Sequence, residues 1–159
     1  MAARKTADEW FAEYGESHQD HTNELIHWIC VPVIFCSALG FAWTIPVPAA
    51  WLAVVPWFNW TLAAMGLASL FYVWLSPALS AGMMFFMSLC YALLVAIDLL
   101  APWPVWQVCT VAFVLAWIGQ FIGHKIEGRK PSFFRDGLFL LIGPAWLMSF
   151  VYQKFGQRY

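Results

Sequence analysis

The stretch LIHWICVPVIFCSALGFAW, residues 25–43, opens a run without a charged side chain that continues to Ile97. A second such run follows Asp98 and ends at Lys125. About 20 apolar residues cross a bilayer as a helix, and lipid offers no partner for unpaired backbone groups, so helices are the expected form. With 62% hydrophobic and 11% charged residues, the sequence predicts an all-α, polytopic membrane helix bundle.

Breaks that contain proline divide the two runs into four predicted membrane spans. They lie at residues 45–48, 76–77 and 101–104, where proline removes a helical hydrogen bond. The predicted spans are residues 25–43, 57–75, 79–100 and 105–122. Tryptophans cluster near several of these ends, as in the aromatic belts of membrane proteins. Residues 1–159 are therefore interpreted as one integral membrane domain.

A short amphipathic helix is predicted before the first span. Thr6 and Glu9 have the spacing of a capping box, and Trp10, Phe11 and Tyr14 share one side of the helix that follows. The other side of this helix is acidic. Within residues 1–22 the pattern favours a helix lying on the membrane surface.

The C-terminal part of the chain, residues 123–159, begins with a polar motif and ends with one more apolar stretch. That stretch, residues 137–152, contains Gly143 and Pro144 and has basic residues on both sides. It is shorter than a typical span. We therefore predict an interfacial or re-entrant helix rather than a fifth crossing.

The basic residues indicate how the chain is oriented. All eight lie toward its two ends: Arg4, Lys5, Lys125, Arg129, Lys130, Arg135, Lys154 and Arg158. By the positive-inside rule both termini are predicted to be cytoplasmic, which requires an even number of crossings. The net charge of −1 argues against nucleic acid as a partner. Short loops and the lack of an endoplasmic-reticulum retention ending favour a bacterial inner membrane over the endoplasmic reticulum.

This topology puts all four histidines, His18, His21, His27 and His124, at one membrane face. On one unbroken helix His18 and His27 would point to opposite sides, so they converge only if the chain bends at residues 20–23. Glu127 shares a helical face with His124. Imidazole with an optional carboxylate suits non-haem iron or zinc. The cluster predicts one metal ion, although polar residues also gather at interfaces without binding one.

Other polar residues neighbour these histidines. Gln120 lies one helical turn before His124 and is predicted to support it through a hydrogen bond. Lys125 and Arg129 follow His124 closely. Two interpretations of these cations stay open, contact with the carboxylate of a substrate and attraction to anionic lipid head groups.

Two separated motifs carry a family resemblance. The first is YGESHQDHTNELIHWICVP, residues 14–32, which contains Tyr14, His18, Asn23 and His27. The second is WIGQFIGHKIEGRKP, residues 117–131, followed by Gly143-Pro144. Together they resemble the fungal 2-hydroxy fatty acid dioxygenase family and its bacterial relatives, the MPO-like proteins, over nearly the whole chain.

The resemblance implies a membrane enzyme that uses Fe(2+) and O2 to shorten a 2-hydroxy fatty acid by one carbon, the reaction of fatty acid alpha-oxidation. It nominates His18, His27 and His124 as the catalytic iron ligands. His21, where relatives often have proline, and Glu127 are further candidate ligands. The candidates for supporting the ligands or contacting the substrate are Tyr14, Asn23, Gln120, Lys125 and Arg129.

Two other classes of protein fit the same sequence. A non-catalytic membrane scaffold or lipid-binding protein would use its histidines to cap helices or bind head groups, and it would need no iron. A zinc or haem membrane protein would differ in its metal or its absorption spectrum. Haem usually takes two histidines from facing spans, and only His27 lies inside a predicted span.

Overall fold

The computed structural model describes residues 5–131 and 137–159. Two of the basic residues named above, Arg4 and Arg135, lie outside these ranges. Within them the chain forms seven α-helices and no β-strand, which confirms the all-α prediction. The helices are α1 (Ala7–Gly15), α2 (His21–Trp43), α3 (Ala49–Leu52), α4 (Trp60–Leu75), α5 (Pro77–Leu100), α6 (Val105–Glu127) and α7 (Phe139–Lys154).

Three helices of the described chain, α2, α5 and α6, are long and apolar enough to cross a membrane. The predicted number of four is therefore wrong, and the missing span is residues 57–75. Helix α4 begins only at Trp60, because the Asn59 side chain accepts a hydrogen bond from the backbone N–H of Leu62 at 3.1 Å. Its 16 residues measure roughly 24 Å at about 1.5 Å per residue. That length falls short of a hydrocarbon core of about 30 Å.

Helices α2 and α6 run antiparallel and in close contact. Gly40, near the end of α2, lies against Cys109 near the start of α6. Gly123, near the end of α6, lies against Asn23 at the start of α2, so closely that a Cβ at Gly123 would overlap Asn23 Oδ1. Small residues allow two helices to approach in this way.

Helices α4 and α5 pack on the same pair in opposite directions. The hydroxyl of Thr61, at the start of α4, donates to the carbonyl of Leu39 near the end of α2 at 2.9 Å. Leu94, late in α5, lies beside Gly40 in the same region of α2. Helix α4 is therefore antiparallel to α2 and α5 is parallel to it. One end of the bundle contains the starts of α2 and α5 and the ends of α4 and α6.

Helix α7 packs across that end, which we call the histidine end of the bundle. The Tyr72 hydroxyl donates to the carbonyl of Leu141 at 3.1 Å, and the Gly82 backbone N–H donates to the Tyr152 hydroxyl at 3.2 Å. The predicted C-terminal segment is thus one helix that continues through Pro144, with half of its residues buried. Its depth in a membrane stays a prediction.

Helix α1 lies at the histidine end as well. Its predicted capping box is confirmed, since Thr6 Oγ1 accepts from the Glu9 N–H and Glu9 accepts from the Thr6 N–H. The side chains of Trp10 and Tyr14 are buried and meet the ring of Phe139, each at 5.7 Å between centroids. The apolar side predicted to lie on the membrane instead packs inside the protein, because α7 covers it.

Candidate metal centre

The chain bends in the segment that connects α1 to α2. Helix α1 ends at Gly15, and Asp20 caps α2 by accepting hydrogen bonds from the N–H groups of Thr22 and Asn23 at 2.8 and 3.1 Å. His18 lies within this connection. The chain thus bends between His18 and His27, as their convergence requires.

Three histidines meet at this bend. One ring nitrogen from each of His18, His27 and His124 lies within 4.8 Å of the others. The ring centroids are 4.2, 5.1 and 4.9 Å apart, and the ring planes cross at 69° to 89°. All three side chains are at most 5% exposed. The fold therefore buries three imidazoles edge to face around one point.

Hydrogen bonds set the orientation of two of these rings. His18 Nδ1 lies 2.6 Å from the carbonyl oxygen of Tyr14, and His27 Nδ1 lies 2.8 Å from that of Asn23. A carbonyl only accepts, so each Nδ1 carries the proton and each Nε2 keeps a lone pair. Within the described chain both Nε2 atoms are buried without a partner, as is His124 Nδ1.

Aromatic rings enclose His18. Tyr14 stacks on it with centroids 4.2 Å apart and planes at 16°, and the Trp146 ring is 5.3 Å away. Burial is the main cause that lowers the pKa of His18 to about 4; the hydrogen bond that His18 donates to the Tyr14 carbonyl opposes this shift, and the nearby His124 adds to it. The imidazole is therefore neutral at pH 7, which is the protonation state that binds metal.

The donor set fits a divalent transition metal. A buried polar atom without a hydrogen bond costs about 1–3 kcal/mol, and one ion would satisfy three such nitrogens together. Bonds of about 2.1 Å place two nitrogen ligands roughly 3–4 Å apart, and the three histidines each offer a ring nitrogen within 4.8 Å of the others. Imidazole nitrogens suit iron or zinc, whereas calcium and magnesium require oxygen ligands.

A family model described as 2-hydroxy-palmitic acid dioxygenase Mpo1-like matches residues 4–155. The chain belongs to this family. The match confirms the resemblance inferred from the two motifs, and the Mpo1-like name implies a dioxygenase that acts on a 2-hydroxy fatty acid. No curated protein and no solved structure matches the chain.

In this Mpo1-like chain Glu127 holds the α1–α2 connection. Its carboxylate accepts hydrogen bonds from the backbone N–H groups of Gln19 and Asp20 at 3.0 and 2.7 Å, and from Asn23 Nδ2 at 3.2 Å. Asn23 Nδ2 also donates to the carbonyl of Ser17 at 3.1 Å. Glu127 is the last residue of α6 because Gly128 takes a left-handed conformation, with φ at 73°. The end of α6 is thereby tied to the segment that carries His18.

The other predicted residues differ in position. His21 is exposed in the first turn of α2 and lies outside the histidine cluster. Gln120 is buried, and its Nε2 has no partner in the described residues. Lys125 is exposed, while Arg129 donates from Nη1 to the carbonyl of Glu16 at 2.7 Å.

The sequence offered no signal for two aromatic walls of the site. Trp146 and Phe139 lie on α7, more than a hundred residues from His18 along the chain, and both contact Tyr14. Nothing in their local sequence distinguishes them from other apolar residues of that helix. Only the packing of α7 across the histidine end assigns them to the site.

Proposed function

We propose that this chain is an iron(II)-dependent dioxygenase that shortens 2-hydroxy fatty acids by one carbon. The observation that carries the proposal is the cluster of His18, His27 and His124, in which one ring nitrogen of each lies within 4.8 Å of the others. Each of these histidines also has a buried ring nitrogen without a hydrogen-bond partner among the described residues. Membership of the Mpo1-like family supports the class of substrate. We propose these three residues as the iron ligands, with His21 and Glu127 outside the ligand set.

When bound, iron(II) would activate O2 and bring two positive charges to the site, which neutral imidazole ligands leave uncompensated. The chain itself holds the ligand nitrogens in position through the carbonyls of Tyr14 and Asn23. The overall reaction, RCH(OH)COOH + O2 → RCOOH + CO2 + H2O, moves four electrons from the substrate to oxygen. It needs no further reductant.

Two features of the chain favour a carboxylate substrate. A surface depression next to His124 is lined by Lys125, Arg129 and Lys130, which attract an anion toward the site. Inside, the Gln120 amide offers N–H donors beside His124. The aromatic rings around His18 exclude water from the other side of the cluster, which strengthens electrostatic interactions there.

We also propose that the protein spans a bacterial inner membrane with both termini cytoplasmic. Three span-forming helices support the membrane location, and α1 and α7 lie at the same end of the bundle. A C-terminal green fluorescent protein fusion should be fluorescent and a C-terminal alkaline phosphatase fusion inactive. An active phosphatase fusion would contradict this orientation.

A zinc enzyme is the second candidate, because three histidines also form the ligand set of some catalytic zinc sites. Metal analysis of protein purified in detergent separates the candidates. We expect about one iron per chain in the wild type, and loss of most of it in His27→Ala and in His124→Ala. The matched control is His21→Ala, which removes an exposed histidine and should retain the metal.

Activity is then measured as oxygen consumption with 2-hydroxyhexadecanoate, using hexadecanoate as the control that lacks the hydroxyl. We expect consumption only with the 2-hydroxy acid, together with a 15-carbon product, because loss of one carbon leaves the rest of the alkyl chain intact. Zinc in place of iron would favour the second candidate. A folded wild type that neither contains nor takes up iron or zinc would leave the scaffold interpretation.

A further inference from the structure

A cavity beside the histidines continues into an apolar groove. The cavity is lined by Gln120 and His124 together with Tyr14, Pro131 and apolar residues of α2, α6 and α7. Three of these residues, Ile34, Trp117 and Leu140, also line a longer groove that runs away from the histidines. The two spaces therefore meet along shared side chains.

The groove lies on α2 between α4 and α6. Ala38 is part of its floor, Ala64 and Ala68 form part of the α4 wall, and Phe113 belongs to the α6 wall. No charged residue lines it in the part of the chain that the structure describes. From His124 to Phe113 the distance along α6 is roughly 16 Å, at about 1.5 Å per residue. The groove thus suits a long, narrow and apolar group.

A polar group marks the inner end of this path. Gln120 is 5% exposed, and its Nε2 is buried with no partner in the described residues. A buried amide without a hydrogen bond is costly, so a ligand that accepts from it is favoured. A carboxylate or hydroxyl at Gln120, joined to an alkyl chain in the groove, matches the order of polar and apolar surface.

We propose that the cavity and groove form the acyl-chain site of the enzyme. The head group of the 2-hydroxy acid accepts from Gln120 next to the histidines, and its alkyl chain lies on α2 between α4 and α6. Ala38 is exposed on the groove floor, so the groove is open to lipid and the substrate enters sideways from the bilayer. This inference rests on the proposed function for the identity of the ligand.

Photolabelling tests the site without requiring turnover. The probe is 2-hydroxyhexadecanoic acid with a diazirine near the methyl end, added to the full chain in detergent, and the labelled peptides are mapped by mass spectrometry. We expect labels around Ala64 and Phe113 that excess 2-hydroxyhexadecanoate removes. A second apolar surface along α6, which includes Trp106 and Leu115, shares no lining residue with the cavity. Two results would overturn the proposal. One is labelling of this second surface that excess 2-hydroxyhexadecanoate removes, and the other is labelling of the groove that it does not remove.

A tryptophan placed in the groove provides the matched test. Ala38→Trp fills the floor, and Ala92→Trp adds the same side chain at an exposed alanine in the middle of α5. For Ala38→Trp we expect competition by 2-hydroxyhexadecanoate to weaken at least about tenfold, since buried methylenes are displaced. Competition by 2-hydroxyoctanoate should change much less. Equal long-chain competition in the two variants would overturn the proposal.

If Ala38→Trp does not elute as a folded species, Ala64→Leu makes a smaller change on the α4 wall with the same expected direction. Failure of the acyl-chain site can be distinguished from failure of the proposed function. Competed labelling in the groove by a protein without iron or oxygen consumption would uphold the acyl-chain site and overturn the dioxygenase. Iron-dependent turnover with labels outside the groove would overturn the acyl-chain site alone.

Discussion

At the histidine end of the bundle, Asn23, His27 and Gln120 are buried with polar atoms that lack partners in the described residues. At the opposite end, where α2 finishes and α4 begins, Thr61 is equally buried but its hydroxyl is bonded to the carbonyl of Leu39. Buried polar atoms are normally satisfied. At the opposite end the fold itself satisfies the buried hydroxyl of Thr61, whereas at the histidine end it leaves several buried polar atoms that a bound ligand would satisfy.

Glu127 should have the largest effect among the residues outside the histidine cluster. Glu127→Ala removes the acceptor for the N–H groups of Gln19 and Asp20, which releases the connection that carries His18. Loss of groups that orient metal ligands typically lowers metal affinity by about 10–100-fold. We expect a decrease of that size in iron affinity, measured by competition with a chelator.

The control for this variant is Glu13→Ala, which removes a carboxylate paired with Lys5 on the protein surface. Surface ion pairs contribute about 0–1 kcal/mol, so its iron affinity should match the wild type. Unchanged affinity in Glu127→Ala would show that the connection keeps its position without the carboxylate.

Gly123 should have the next largest effect, through packing. In Gly123→Ala the new methyl group overlaps Asn23 Oδ1, so α2 and α6 must separate where His27 and His124 meet. Overpacking of this kind costs about 1–3 kcal/mol. We expect a lower melting temperature in detergent and a lower iron content.

Gly66→Ala is the matched control, because a Cβ at Gly66 meets nothing within 4 Å. This glycine lies inside α4, so alanine should leave the melting temperature unchanged or raise it through its higher helix propensity. Equal melting temperatures and iron contents in the two variants would contradict the close α2–α6 contact.

Thr61 at the opposite end should have the smallest effect. Thr61→Val keeps the shape of the side chain but removes its hydrogen bond to Leu39, which contributes about 0.5–1 kcal/mol. A small decrease in melting temperature with unchanged iron content would sharpen the contrast between the two ends. Loss of iron in this variant would contradict the contrast between the two ends.

The family and the class of fold could be predicted because their signals are local. Runs without charge indicate membrane helices wherever they occur, and the motifs around His18 and His124 lie within short segments. The number of spans was wrong because hydropathy does not reveal where a helix starts. The cap at Asn59 shortens α4 by taking residues 57–59 out of the helix.

Contacts between distant segments explain the other differences between the sequence predictions and the structure. The apolar side of α1 was predicted to face lipid, but Trp10 and Tyr14 pack on α7 instead. Glu127 was a candidate ligand because it shares a helical face with His124, yet its oxygens accept from the α1–α2 connection. In both cases the partner is more than a hundred residues away, so periodicity along one helix could not identify it.

The amino-acid sequence by itself determined that this chain is helical, apolar enough to enter a membrane, and a member of the Mpo1-like family. It also placed the histidines close to the start of α2 and the end of α6. Only the tertiary structure decided that His18, His27 and His124 converge while His21 remains exposed. The reason is physical: convergence depends on the bend before α2, the antiparallel pairing of α2 with α6 and the cover supplied by α7.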